Sequence, residues 1–275
     1  MKQVLTAAAV IAFAAAVPAS AQQPGQSHET PPTDGASKTA LAQTVAGSPE
    51  ALRPLAKLRA PLCLAVAATD EAFARTVAKR IIANAKAAGV RTRREGCTAN
   101  ALVTFSDNAR GQIEAYRTEG RKLVKRMSHA EIDAALDVRD PAYVFQPTEA
   151  TPRIGEGDEI FFTGTSSSWT NERSFRRTPQ DMLTTLVMVE ADAVAGMNPV
   201  QVADYVTLRL LAPTGEIAAD SAVASQTILS LFAAPSEAPP ELTKADRAYL
   251  KSLYKLPRTA YAKEVLEETE RVAAK

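Results

Sequence analysis

The fold is decided by the stretch Pro61-Leu62-Cys63-Leu64-Ala65-Val66-Ala67 and by the residues that follow it. This short apolar run is typical of a buried strand. Thr69 or Asp70 can cap a helix, and Gly89 is a natural end for that helix. Between the cap and the glycine, apolar residues recur at helical spacing, at Phe73, Val77, Ile81 and Ile82. The stretch therefore predicts a strand followed by an amphipathic helix.

A second apolar run, Ala101-Leu102-Val103-Thr104-Phe105, predicts another strand, and residues 106–108 offer caps for a helix toward Leu123. Strand, helix, strand and helix in this order favour an α/β or α+β fold, with a mixed sheet and packed helices. We expect a single compact domain at residues 50–265, which is long enough to bury a substantial core.

Caps, breakers and apolar spacing predict the remaining elements. They are a helix at 129–138 after the capping box Ser128-x-x-Glu131, an irregular region at 143–177 with a strand-like run at 159–162, a strand at 183–194, a helix at 199–213 capped by Asn198, a helix at 243–257 capped by Thr243, and a final helix at 260–273 that ends in a charged tail at 266–275.

The N-terminus has the three parts of a secretory signal peptide. Lys2 is the positive end, residues 4–17 are apolar, and Ala19-Ser20-Ala21 is a small-residue cleavage site. We expect cleavage before Gln22 and a periplasmic or secreted protein. A retained anchor is the alternative, although the apolar run is shorter than the roughly 20 residues that span a bilayer. Residues 22–49 lack apolar periodicity and predict a disordered leader.

Two cysteines occur, and export makes a disulfide between Cys63 and Cys97 the expected state. Two buried free thiols are the alternative. A redox enzyme usually shows C-x-x-C spacing, which is absent here, so we expect a structural bond.

Charge bears on the class of partner, and hydropathy bears on whether the mature chain spans a membrane. The chain has 32 basic and 31 acidic residues, and the predicted signal contributes only Lys2 to this count. A net charge near zero provides no long-range field that would steer nucleic acid or an acidic surface toward the protein, so nucleic-acid binding is disfavoured. No stretch after the signal reaches membrane-spanning length without a charge, so we expect no transmembrane segment in the mature chain.

Motifs for metal, cofactor or nucleophile chemistry are sparse. The sequence has two histidines, His28 in the predicted leader and His129 in a predicted helix turn, and zinc usually takes more His or Cys ligands than that. No G-x-S-x-G elbow and no glycine-rich phosphate motif occurs. We therefore expect no cofactor and no metal, and an enzyme is the less favoured class.

Glu190 and Asp192 are the only carboxylate pair that we consider for catalysis. Two residues apart on a strand, they would face the same side at about 6 to 7 Å, near the spacing of paired glycosidase acids. The alternative is that they end a strand, one of them capping a helix or pairing with Arg176 or Arg177.

Trp169 lies in a Ser/Thr-rich tract that predicts an exposed loop, with Phe161, Phe162 and Phe175 nearby. Aromatic residues dominate interface hot spots, so this loop is a candidate contact surface. Burial of the three phenylalanines in the core is the alternative.

The segment 183–256 resembles a group of uncharacterised exported alphaproteobacterial proteins. The resemblance rests on Val202-Ala203-Asp204-Tyr205-Val206, Thr227-Ile228-Leu229-Ser230-Leu231-Phe232 and Leu242-Thr243-Lys244-Ala245-Asp246-Arg247-Ala248-Tyr249-Leu250. More distantly, the segment is similar to the end of metzincin-type zinc peptidases, with a helix, a tight segment like the Met-turn, and a helix that closes with Leu-Tyr.

The chain departs from the metzincin pattern where the metal would bind. No H-E-x-x-H occurs, and Ile228 or Leu229 stands where the methionine would be. The resemblance therefore implies a peptidase-like scaffold without zinc ligands.

From these patterns we expect an exported, non-catalytic envelope or secreted protein that acts as a structural or interaction module. Its partner would be a protein or a cell-envelope component. It would be contacted through the Trp169 loop or a groove bounded by the 199–211 helix, with Asp204 and Tyr205 as candidate binding residues. The alternative is an atypical hydrolase that acts on envelope peptides or glycans through Glu190 and Asp192.

Overall fold

A computed structural model describes residues 34–119, 129–138, 140–150 and 178–275 of the chain. The predicted signal peptide, the run at 159–162 and the Trp169 loop lie outside these residues. The described part contains seven α-helices: α1 (Asp34–Val45), α2 (Glu71–Ala87), α3 (Ala109–Glu119), α4 (His129–Leu136), α5 (Pro199–Leu211), α6 (Lys244–Lys255) and α7 (Ala262–Ala273).

The strands form two mixed sheets, so the fold is α/β as the sequence predicts. The strands are β1 (Lys57–Leu58), β2 (Leu64–Ala67), β3 (Ala101–Ser106), β4 (Ala142–Phe145), β5 (Thr148–Ala150), β6 (Gln180–Met182) and β7 (Thr185–Glu190). The larger sheet has the order β2-β3-β7-β4, in which β2, β3 and β7 are parallel and β4 is antiparallel. The smaller sheet has the order β1-β6-β5.

Helix α2 forms where capping and spacing predict it. The Asp70 carboxylate accepts hydrogen bonds from the backbone N–H groups of Ala72 (2.7 Å) and Phe73 (3.1 Å). Val77 and Ile81 are fully buried against the core. Gly89 adopts a φ of 87°, which closes the helix in a conformation that glycine adopts without strain.

Both faces of the larger sheet are covered. Val187 and Val189 of β7 face the main core, which includes α2, α5, α6 and α7. Leu186 and Met188 face the opposite side, where they pack with α3 and α4 in a second core. The sequence predicts this strand from a partial alternation of apolar residues, but both of its faces are buried, and a strand buried on both faces carries a nearly continuous apolar run.

The disulfide between Cys63 and Cys97 is present, with 6.1 Å between the two Cα atoms. It joins the residue before β2 to the loop that leads into β3. In the described ranges no helix combines the length and the apolar character that crossing a bilayer requires.

The predicted boundaries of the folded domain differ from the structure at both its N-terminal and its C-terminal end. The disordered leader was expected to reach residue 49, but helix α1 lies inside it, and Leu41, Ala42, Val45 and Ala46 are buried in the main core. The leader prediction is therefore wrong for this part, because α1 buries its apolar side chains against α6 and α7. The boundary between the domain and the charged tail falls inside α7, whose Leu266 and Thr269 are buried.

Two predictions about strands also need correction. Residues 143–177 were expected to be irregular, but β4 and β5 occupy the described start of this region. The predicted buried strand at 61–67 becomes β2, whose residues are half-buried or exposed because β2 is an edge strand. Leu62 and Cys63, just before β2, are the buried residues of that run.

Candidate functional site

The carboxyl ends of β2, β3 and β7 meet at one edge of the larger sheet, where α/β folds commonly bind ligands. Several side chains that could bind a ligand or act in catalysis lie there, including the predicted carboxylate pair. They are Asp70, Ser106, Asn108, Glu190 and Asp192. Their role depends on what each side chain already contacts.

Glu190 is engaged by the start of helix α3. Its two carboxylate oxygens accept hydrogen bonds from the backbone N–H groups of Ala109 and Arg110, both at 2.9 Å. These N–H groups have no partner inside the helix, and the helix dipole favours a negative charge beside them. Glu190 thus takes the capping role that the sequence left open as the alternative to catalysis.

Asp192 does not share a strand face with Glu190. Strand β7 ends at Glu190, and Asp192 begins a 3-10 turn that runs to Val194. The expected arrangement of two carboxylates on one side of a strand is therefore absent, because the chain turns between them. Glu190 forms no ion pair with an arginine among the described residues, and Arg176 and Arg177 lie outside the described ranges.

Asp204 lies in the interior and not on an open groove. Its carboxylate accepts two hydrogen bonds from the Arg80 guanidinium, at 2.6 and 2.7 Å, and one from the Asn84 amide at 2.7 Å. It also accepts from the backbone N–H of Leu242 at 2.7 Å. This wholly buried carboxylate joins α2, α5 and the segment before α6, so it holds three parts of the fold together.

Tyr205 is also fully buried, and its hydroxyl is part of a second ionic centre. The hydroxyl donates to Asp140 (2.8 Å) and accepts from the Arg209 guanidinium (3.1 Å), which also contacts Asp140 (2.9 Å). Burial raises the pKa of Tyr205 well above its usual range. Neither Tyr205 nor Asp204 offers an exposed group, because residues 202–211 of α5 are all buried.

A cleft of about 360 Å³ borders this centre and is lined by Val144, Gln146, Arg209, Thr214 and Glu216, among others. The Arg209 guanidinium also donates to the Thr214 hydroxyl and to the carbonyl oxygen of Gly215. The Gln146 amide donates to two carbonyl oxygens at the end of α5. Arg209, Gln146 and Thr214, three of the polar side chains that line the cleft, are thus already hydrogen-bonded within the fold.

A second buried cation, Lys57, lies at the end of α6. Its ammonium group donates to the carbonyl oxygens of Leu253 (2.9 Å) and Leu256 (2.6 Å). Burial and the neighbouring Arg258 lower the pKa of Lys57 to about 8, and Asp181 opposes this shift. Arg258 itself pairs with Asp181. Lys57 caps the helix end with its charge, which is a structural role.

The described residues contain no group of three or more His, Cys, Asp or Glu side chains placed to hold a metal ion. Trp169, the remaining predicted binding residue, lies in the part of the chain outside the described ranges.

The arginines show which exposed positive charges have no ion pair within the described structure. Of the twelve arginines whose side chains the structure describes, eight form an ion pair: Arg53, Arg75, Arg80, Arg110, Arg209, Arg247, Arg258 and Arg271. The other four pair with no described residue, and all four are exposed: Arg59, Arg91, Arg93 and Arg94.

These four arginines lie on two neighbouring segments, residues 59–62 and residues 88–100, which we call together the arginine loop. Leu62 forms a parallel bridge with Thr92, and Arg91 and Arg93 are the neighbours of Thr92 in sequence. Arg59 lies three residues before Leu62. The loop lies at the amino end of β2 and contains no tyrosine, tryptophan or phenylalanine. The sequence analysis missed it because the near-zero net charge conceals a local excess, although the run Arg91-Thr92-Arg93-Arg94 is a visible signal.

Comparison with known proteins adds no family to this description. No protein-family model matches the chain, and no curated protein and no solved structure matches it either.

Proposed function

We propose that the chain is an exported, non-catalytic module of the cell envelope that acts by binding through the arginine loop. The observation that carries this proposal is the contrast in pairing. The exposed arginines without ion pairs in the described structure are concentrated in one loop, whereas the candidate catalytic carboxylate Glu190 is occupied by a helix start.

Export is supported by two independent features. The N-terminal sequence has the order of a cleavable signal peptide. The Cys63–Cys97 bond is of the kind that persists in oxidising compartments. We therefore propose a periplasmic or secreted location. The resemblance to a metzincin-type scaffold stays a prediction.

The test is to express the full chain with its own N-terminus, separate the cell fractions and determine the mass of the protein. We expect an envelope or extracellular protein that begins at Gln22 and contains no free thiol. A cytoplasmic protein that retains Met1 or Lys2 and has two free thiols would contradict export.

The hydrolase alternative is tested with Glu190→Ala and Asp192→Ala on peptidoglycan fragments and unstructured peptides. Turnover by the wild-type chain that both variants lose while they remain folded would support the enzyme. No turnover by the wild-type chain agrees with the non-catalytic proposal, whereas turnover that neither variant changes would contradict it, because other residues would then carry the catalysis.

A further inference from the structure

We infer that the arginine loop binds the phosphate groups of an anionic lipid surface. This inference rests on the proposed function and adds the class of partner to it. Four arginines supply the positive charge, and Lys86 on the last turn of α2 adds a fifth exposed cation. Glu95 is the one acidic residue between Lys86 and Asn100.

The loop is held in place before any partner arrives. The backbone N–H of Leu62 donates to the carbonyl oxygen of Arg91 (2.7 Å), and that of Arg93 donates to the carbonyl oxygen of Leu62 (2.8 Å). The Asn100 side chain accepts from the N–H of Cys63 (2.7 Å), and the disulfide closes the loop. A backbone fixed in this way loses little conformational entropy on binding.

The chemistry of the side chains favours phosphate. The guanidinium group presents a planar fork of donors that fits phosphate oxygens, and it stays charged at any physiological pH. Here that fork is not used inside the described fold, since none of the four arginines pairs with a described residue. These four guanidinium groups are therefore available to negative charge outside the described fold.

The surroundings favour a lipid surface over a protein partner. Residues 86–99 include no aromatic residue, and Val90, the one large aliphatic residue among them, is buried. A protein interface normally needs such anchors at its centre. A surface recognised by charge alone needs none, and each basic residue near an anionic membrane contributes about 1 kcal/mol, which corresponds to a few-fold in affinity.

The opposite end of the sheet would orient the protein on such a surface. Asp70, Glu71, Asp107 and Asp192 are exposed at the carboxyl ends of the parallel strands. The six residues of β3 separate the two ends by about 20 Å, more than twice the Debye length of about 8 Å at physiological salt. The acidic end is therefore screened from a membrane that the arginine loop contacts.

The experiment measures binding of the purified, oxidised protein to vesicles of phosphatidylcholine with and without phosphatidylglycerol. We expect binding only to the anionic vesicles, with release as the salt concentration rises. The variant Arg91→Gln, Arg93→Gln, Arg94→Gln should bind about a hundredfold more weakly.

A matched control removes the same charge elsewhere. The variant Lys79→Gln, Lys251→Gln, Lys263→Gln loses three exposed cations outside the loop and should bind like the wild type. Equal weakening in both triple variants would overturn the inference, because net charge and not the loop would then decide binding.

The remaining outcomes separate this inference from the proposed function. No binding of the wild type to anionic vesicles overturns the lipid inference. If the exported protein is then cross-linked through the loop to an acidic envelope protein, the proposed function stands with a different partner. A protein that is not exported contradicts the proposed function whatever the vesicles show.

Discussion

The two ends of the larger sheet carry opposite charge and use it differently. At the carboxyl ends of β2 and β7, Asp70 and Glu190 accept hydrogen bonds from the first N–H groups of α2 and α3. At the amino end of β2, the arginines of the loop have no ion pair with any described residue. One end completes the fold, and the other leaves charge available for a partner.

This comparison shows how a polar cluster at a sheet edge should be judged. The position of Glu190 agrees with the general rule that ligands bind at the carboxyl ends of parallel strands. Its hydrogen bonds, however, assign it to the start of a helix. What a titratable side chain already contacts is therefore more informative than where in the fold it lies.

The largest effect should come from a buried carboxylate. Replacing Asp204 with Ala leaves the N–H of Leu242 without its acceptor, and it leaves the Arg80 guanidinium, whose side chain is 28% exposed, with only the exposed Glu241 as an ion-pair partner. We expect the free energy of unfolding to fall by about 3 to 5 kcal/mol in urea titrations. Glu114→Ala, which breaks the exposed pair with Arg110, is the control and should change it by less than about 0.5 kcal/mol. A loss below about 1 kcal/mol for Asp204→Ala would remove its structural role.

The second-largest loss of stability should follow removal of the disulfide. The double variant Cys63→Ala, Cys97→Ala should lose about 2 to 5 kcal/mol of stability, because the unfolded chain is no longer cross-linked. Wild-type protein in reducing agent should match the double variant. Unchanged stability in both samples would mean that the hydrogen bonds around Leu62 alone hold the arginine loop.

A smaller effect is expected where Glu190 caps α3. Glu190→Ala should lower the free energy of unfolding by about 1 to 2 kcal/mol, because two backbone N–H groups lose a charged acceptor. Asp192→Ala should stay within about 0.5 kcal/mol of the wild type, as expected for an exposed residue. Equal losses from the two substitutions would show that the structural distinction between them is wrong.

The lowered pKa of Lys57 predicts that the free energy of unfolding depends on pH. Its pKa is about 8 in the folded chain and near its ordinary value of 10.5 in the unfolded chain. Between these values the unfolded chain binds a proton that the folded chain does not, so stability should rise with pH. We expect a rise of about 1 kcal/mol between pH 7.5 and about 9.5, since solvent screening reduces the full effect.

The control for this pH dependence is Lys57→Met, which should remove the rise. The window stops below pH 10 because burial raises the pKa of Tyr205, Tyr249 and Tyr254, and their later ionisation in the unfolded chain lowers stability. A wild-type profile that is flat or falls with pH across the window would contradict the assigned shift.

The helices could be predicted from the sequence because their signals are local. Asn198 accepts from the N–H of Val200, and Thr243 forms a capping box with Asp246, as the spacing indicated. Strands β4 and β5 were missed because they depend on pairing with β7 and β6, which are distant in sequence. Helix α1 was missed for the same reason, since its stability comes from packing and not from its composition.

The site could be predicted only in part. The disulfide followed from two cysteines and the expected compartment. Asp204 and Tyr205 are predicted to border a groove along the 199–211 helix, but residues 202–211 of this helix are buried. The arginine loop depends on which charges remain unpaired, and a sequence does not show pairing.

The most direct test of this account is the free energy of unfolding of the Arg91→Gln, Arg93→Gln, Arg94→Gln variant, measured on the same samples used for vesicle binding. Arginines that serve only a partner contribute nothing to the fold. We therefore predict unfolding within about 0.5 kcal/mol of the wild type, together with the loss of vesicle binding. A loss of about 2 kcal/mol or more would place these arginines among the groups that hold the structure and would contradict the central claim.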